Sequence, residues 1–191
     1  TDYLTHRASG SAARSQCTVT CKWTYLAHEK KGWQSDFFDA VGLEDIQERA
    51  GLPETASPAG SDLGPLTATA AQELGLTERC RVATGVIDAY AGALGTLGGL
   101  ADVPAELNRH LALIAGTSSC VMAMSPVERP FAGGWGPYFG AALPNCWIAE
   151  GGQSATGALL DHIIRLHGAG GEPTAARHRE IAGRILALRA E

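Results

Sequence analysis

The sequence predicts an α/β fold, and three observations predict it. Helical segments open the chain, a strand–helix pair follows near the middle, and a strand–loop–strand meander leads into closing helices. Two short apolar runs, Arg81–Ile87 and Leu111–Ala115, are bounded by turn or small residues and read as buried strands. Near the end, Leu159, Ile163 and Leu166, and then Ile181, Ile185 and Leu188, recur at helical spacing.

Taken in order, Thr1–Arg7 reads as a helix closed by Gly10, where glycine relieves the left-handed cap. Cys17–Ala27 reads as a second helix, ended by the Lys30-Lys31-Gly32 turn. Phe37–Leu43 and Leu43–Gly51 read as short helices, and the Pro- and Gly-rich residues 53–65 as a surface connection. Leu66–Leu74 is predicted helical with Gly75 as its cap. The strand Arg81–Ile87 leads through Asp88 to a small-residue helix, Ala89–Leu97. Residues 101–109 read as a polar linker, and a lobe boundary is placed there, dividing the chain into 1–100 and 101–191. Beyond it come strands at Leu111–Ala115 and Cys120–Met124. Trp135–Phe139 and Cys146–Ala149 read as a strand pair, followed by helices over Ser154–His167 and from Pro173 and Thr174 onward.

Composition narrows the function. The chain has 191 residues, 45% hydrophobic and 18% charged, which suits a packed core rather than disorder. The net charge is −5 and no basic stripe interleaves with aromatics, so nucleic acid is not an expected partner. Apolar runs fall far short of the ~20 residues that a membrane helix needs. Five cysteines at irregular spacing do not form a disulfide framework. Cys17, Cys21 and His28 fall short of the four ligands of a structural zinc site, so buried thiols are the better reading and no residue is assigned to a metal.

Three segments can carry chemistry. Asp88 ends an apolar run and precedes a helix, where a carboxylate could take a proton from a hydroxyl; a helix N-cap is the competing role. Gly116-Thr117-Ser118-Ser119 follows a strand, and such a small loop could present backbone N–H groups to a phosphate; an ordinary turn would look similar. It is not a Walker A loop. Glu150-Gly151-Gly152-Gln153 offers a carboxylate and an amide beside glycines, suited to polyol hydroxyls. The alternative is a helix capped by Ser154 with Glu150 exposed. Ser118 and Ser119 lack the Gly-x-Ser-x-Gly setting of a hydrolase nucleophile.

Together these strings are specific. Cys17-Thr18-Val19-Thr20-Cys21-Lys22-Trp23-Thr24-Tyr25 resembles the pentulose-kinase branch of the FGGY carbohydrate kinases. So do Ile87-Asp88-Ala89-Tyr90-Ala91-Gly92, Gly116-Thr117-Ser118-Ser119-Cys120, Trp135-Gly136-Pro137-Tyr138-Phe139 and Glu150-Gly151-Gly152-Gln153-Ser154. The resemblance extends to about His167 and weakens beyond. It implies an actin-like, ribonuclease H-like two-lobe kinase fold, present in part. Residues 1–100 would be the second half of the sugar-binding lobe, and 101–191 the opening of the nucleotide lobe. It implies ATP and Mg²⁺ as cofactors, a small-molecule sugar substrate of the ribulose type, and a cytoplasmic enzyme; a homodimer is compatible with it. Asp88 matches the family's catalytic aspartate. Gly116, Thr117 and Ser118 match a phosphate-binding loop, and Lys22 and Glu150 match positions that hold the ketose. For Lys22, a solvated helix face is the bland alternative.

The sequence also departs from the family. The phosphate motif Asp-x-Gly-Thr is absent, since Asp62-Leu63-Gly64-Pro65 lacks the threonine, and so is the Gly-rich adenine-binding segment. The expectation is therefore an internal segment of a longer protein, inactive by itself. A kinase of xylulose, glycerol or another polyol, or a non-catalytic sugar- or nucleotide-binding protein of the same fold, stays open at this point.

Overall fold

The computed structural model describes residues 1–190. By contacts it divides into two units. The first holds Thr1–Ile114 and Val121–Gly151; the second holds Ala115–Cys120 and the chain from Gly152 on.

The first unit opens with α1 (Asp2–Ser9), ended by Gly10 at φ 76° as its sequence requires. Ser15 caps α2 (Gln16–Lys22) by accepting the Thr18 N–H. This helix stops five residues short of the expected Ala27. Thr24 takes φ 58°, and Tyr25 then pairs as a β-bridge with Trp33. Burial explains the early stop. Tyr25, Trp33, Phe38 and Val19 form one core cluster, with the Tyr25 and Trp33 rings edge-to-face at 5.0 Å. Bending the chain back at Thr24 is what lets those two rings meet. α3 (Ser35–Ala40) and α4 (Ile46–Arg49) follow as short helices.

A two-stranded antiparallel ribbon, β1 (Asp62–Pro65) with β2 (Arg81–Ala83), flanks α5 (Ala68–Leu74). β1 lies in the segment read as a plain connection. Its pairing comes from the long-range partner, including the Arg81 guanidinium on Asp62, a contact invisible to local composition. β2 is shorter than expected and mostly exposed, so Asp88 is not at a strand end. Instead Ile87 is the N-cap and Asp88 the first residue of α6 (Asp88–Leu97). α6 buries Tyr90, Ala93 and Leu97, spaced three and four apart along one face. A 3-10 turn at Gly98–Leu100 leads to α7 (Pro104–Leu107), whose Leu107 is fully buried, so the polar linker carries a core residue.

A four-stranded sheet follows in the order β3-β4-β6-β5, from β3 (Leu111–Ala115), β4 (Ser119–Ser125), β5 (Trp135–Phe139) and β6 (Trp147–Gln153). Ala112, Met122, Met124 and Ile148 are buried on it, each large side chain contributing about 1.5–3 kcal/mol. β3 was expected to be a buried strand, yet Leu111 and Leu113 are 64% and 63% exposed. It is an edge strand, and only the Ala112 face is covered. β5 and β6 pair antiparallel, with Trp135 opposite Glu150 and Phe139 opposite Trp147. Gly136, at φ 88°, sits where a Cβ would meet the Ile148 carbonyl, so glycine is required there.

In the second unit, α8 (Gly157–Leu166) and α9 (Ala175–Ala190) are joined by His178 Nε2 to Asp161 Oδ1 at 2.7 Å and by Arg177 Nε to the Gly170 carbonyl at 2.7 Å. α8 starts three residues later than expected. Ile164 is its packed position, and the stripe of Leu159, Ile163 and Leu166 is exposed.

Candidate functional site

Within the first unit, three elements bring predicted residues to one place. Lys22 is the last residue of α2 and is exposed. Its ammonium lies within electrostatic reach of the Cys21 thiol, and so does the Glu150 carboxylate of β6, the first lowering and the second raising that thiol. Glu150 is half-buried, and its Oε2 accepts the Tyr90 hydroxyl of α6 in a long hydrogen bond of 3.3 Å. Lys22 and Glu150 therefore share a neighbourhood centred on Cys21 and Tyr90.

The Gly-rich turn expected around Glu150 is absent. Glu150, Gly151, Gly152 and Gln153 continue β6, and Thr156 rather than Ser154 precedes α8 as its N-cap. β6 is a central strand with β4 on one side and β5 on the other, and ladder bonding on both sides overrides the poor strand propensity of glycine. The consequence is chemical: a rigid strand, not a loop, carries Glu150.

Asp88 is exposed at the first position of α6, where the helix dipole favours a carboxylate. Its Oδ1 accepts the Ala89 N–H at 2.8 Å. It does not act as the N-cap. The preceding Ile87 donates its N–H to Cys17 Sγ at 3.5 Å, which ties the start of α6 to α2.

The electrostatics follow from burial and contact. Cys17 is fully buried; its bond to Cys21 and its burial push its thiol well above the ordinary range. Cys21, which accepts that bond, is held below the ordinary range. Burial first, and then the charges of Cys21 and Glu150, push the Tyr90 phenol far up, and Tyr138 moves the same way for the same leading reason. Tyr90 thus stays protonated and is a donor toward Glu150. His28 stacks against Trp147 and Phe139, with ring centroids at 4.7 and 6.0 Å, and serves packing rather than a cluster with Cys17 and Cys21.

The loop of Gly116, Thr117 and Ser118 belongs to the second unit and is exposed. Its carbonyls are all engaged. Ser118 O accepts from Gly116 N at 2.8 Å, Thr117 O from Thr156 N at 2.6 Å, and Gly116 O from Gly157 N at 3.3 Å. A trans peptide points its N–H opposite its C=O. The Thr117 and Ser118 N–H groups are therefore turned away from the start of α8. Gly157 is the close-approach residue, since a Cβ there would come within 3.2 Å of Gly116 O.

Sequence reading missed Tyr90, Cys21 and Gln16. Tyr90 had one available signal: it is the one aromatic residue in a helix otherwise made of small and aliphatic residues. Gln16 had none, because its amide bonds the distant Phe139 and Gly140 carbonyls at 3.3 and 3.1 Å.

Comparison with known proteins bears on the family and the fold. Residues 111–190 match the model of the FGGY family of carbohydrate kinases, C-terminal domain. An FGGY carbohydrate kinase domain-containing protein of Danio rerio is 48% identical over 180 residues, covering 88% of this chain and 32% of that protein. Its Homo sapiens counterpart is 44% identical, with 88% and 32% covered. A D-ribulokinase of Saccharomyces cerevisiae is 40% identical over 193 residues, covering 87% of this chain and 27% of that protein. The chain thus spans about a third of the length of the curated relatives it matches. Among solved structures, a gluconate kinase from Lactobacillus acidophilus superposes with TM-score 0.69 at 17% identity, covering 96% of this chain and 34% of that one. A xylulose kinase from Rhodospirillum rubrum superposes at 0.66 and 22%, with 94% and 33% covered. The fold is accordingly part of the actin-like ATPase architecture of sugar kinases. Residues 111–190 carry the C-terminal domain of the FGGY family of carbohydrate kinases, and the likeness to FGGY proteins extends over 88% of the chain.

Proposed function

We propose that the protein carrying this chain transfers the γ-phosphoryl group of ATP to a hydroxyl of a ribulose-type ketopentose. The observation that carries this reading is the convergence of Lys22 and Glu150, from α2 and β6, on the single neighbourhood of Cys21 and Tyr90. A cation that donates and a carboxylate that accepts, both acting on the same thiol, suit a hydroxyl-rich ligand. The 40% identity to a D-ribulokinase supports the choice of sugar.

In this reading Lys22 and Glu150 hold the ketose. A sugar hydroxyl loses its proton only far above neutral pH, so attack on phosphorus needs a placed base. Asp88 takes that proton; its Oδ1 bond to Ala89 fixes the carboxylate at the start of α6 while leaving it open to solvent. The outward N–H groups of Thr117 and Ser118, with Gly116 giving access, bind phosphate oxygens. Mg²⁺ prefers oxygen ligands and binds through one or two carboxylates together with phosphates and water, and the exposed Asp88 carboxylate fits that donor set. When bound, the ion neutralises charge across the phosphates. Residues 1–100 form part of the sugar lobe and residues 101–191 part of the nucleotide lobe, an assignment supported by the C-terminal-domain match beginning at residue 111. Among the described residues no helix is long and apolar enough to cross a membrane.

The test is a panel of ribulose, xylulose, glycerol and gluconate with Mg-ATP on the full-length protein. Ribulose should give the highest kcat/KM. Preference for another member would overturn the choice of sugar, and ATP turnover stimulated by none would overturn the kinase reading.

A further inference from the structure

We propose that the cavity lined by Arg129, Phe131 and Trp147 is a second ligand site, one that takes a small aromatic carboxylate. It is built from residues that the sugar and phosphate readings leave unused. Its volume is about 420 Å³, within the range of about 300–1,000 Å³ that small-molecule sites occupy. It lies inside the first unit, between the start of β6, the end of β4 and the loop joining β4 to β5. Side chains alternate along a strand. Trp147 and Ala149 line the cavity, so Ile148 and Glu150 point to the opposite face of β6.

The walls are flat and apolar, with Phe131, Trp147 and Pro137 among them. The Phe131 ring lies against Gly134, where a Cβ would collide with it, so the glycine is what seats the ring. Trp147 is held by its edge contact with Phe139, the ring centroids 5.1 Å apart. Such faces suit a planar ring, stacked or edge-on. The polar groups are arranged to donate. Among the described residues, the Arg129 guanidinium and the Asn108 amide have no hydrogen-bonding or ionic partner. The buried Ser125 hydroxyl accepts the Val127 N–H at 3.2 Å, which leaves its own proton for a ligand. No Asp or Glu is among the described residues that line the cavity. A guanidinium with no carboxylate beside it selects an anion, and its planar fork matches a carboxylate through two parallel bonds. The ligand that satisfies both halves of the cavity is a ring bearing a carboxylate.

Isothermal titration of the full-length protein tests this with probes that share one ring: indole-3-acetate, the neutral indole-3-ethanol and the cationic tryptamine. The acid should bind saturably with Kd below about 1 mM, and the other two at least about 10-fold more weakly. Arg129 is exposed, so Arg129→Gln keeps the fold; it should weaken the acid at least about 10-fold and leave the alcohol within about twofold. Phe131→Ala should weaken acid and alcohol alike. Saturating ribulose, and Glu150→Gln, should each leave the Kd of the acid within about twofold, because Glu150 faces the other side of β6. No saturable binding of the acid up to about 5 mM, equal binding of acid and alcohol, or an Arg129→Gln titration equal to wild type would overturn the inference. Displacement of the acid by ribulose would overturn it as well, by placing the ligand in the sugar site.

Discussion

Gln16 and Gly140 are locked together: the Gln16 amide donates to the Gly140 carbonyl at 3.1 Å, and a Cβ on Gly140 would run into that same amide. Gly140 also has φ 63°, a conformation that side chains resist. The contact fastens the first turn of α2, and with it the helix bearing Cys21 and Lys22, to the end of β5.

Gly140→Ala should therefore destabilise the chain by about 2 kcal/mol, from backbone strain and displacement of the amide. A thermal melt of the 191-residue chain should show a fall of roughly 4–8 °C. Gln16→Ala should cost about 1–2 kcal/mol by leaving the two carbonyls without that donor. An unchanged melting temperature in Gly140→Ala would show that α2 does not depend on this seat.

The thiols should separate by reactivity. The thiolate is the nucleophile. Cys21, held below the ordinary range, forms it at lower pH than Cys146, which burial pushes up. Cys17 is both buried and pushed up. Alkylation with iodoacetamide near neutral pH, followed by peptide mapping, should label Cys21 ahead of Cys146 and Cys17. As pH rises, Cys21 should reach its plateau first. Labelling of Cys17 first would contradict the hydrogen-bond order of the pair.

How much of this could be read in advance depends on whether the cause is local. Gly10 and Gly75 closed their helices as their sequence context requires, both in the left-handed region. Two short helices between residues 35 and 49, and α9 starting beyond Thr174, were also legible, because capping and spacing act within a turn or two. The end of α2 was not legible: Thr24 breaks the helix so that Tyr25 can meet Trp33, a tertiary demand. Nor was the strand character of Glu150 to Gln153, which β4 and β5 impose from either side. At the site, Lys22, Asp88, Glu150 and the Gly116 loop were singled out by motif resemblance. Tyr90 was not, since what distinguishes it is a hydrogen bond to a residue 60 positions away.

Asp88 separates two roles. If it takes the proton, Asp88→Asn in the full-length protein should lower kcat by at least about 100-fold, with sugar KM changed far less. If it serves only the helix start, the amide should substitute with little loss. Wild-type kcat in the variant would remove Asp88 from the chemistry.

The central claim is that Lys22 and Glu150 hold one sugar, and steady-state kinetics of Lys22→Met and Glu150→Gln test it most directly. Sugar is varied at saturating ATP, and then ATP at saturating sugar. Loss of a charged hydrogen-bond partner in a desolvated site costs about 1.5–3 kcal/mol, whereas an exposed surface charge changes little, within about 0.5 kcal/mol. Each variant should therefore lower sugar kcat/KM at least about 10-fold and leave ATP KM nearly unchanged. Either variant within about twofold of wild type for sugar, or a rise in ATP KM in its place, would contradict the account.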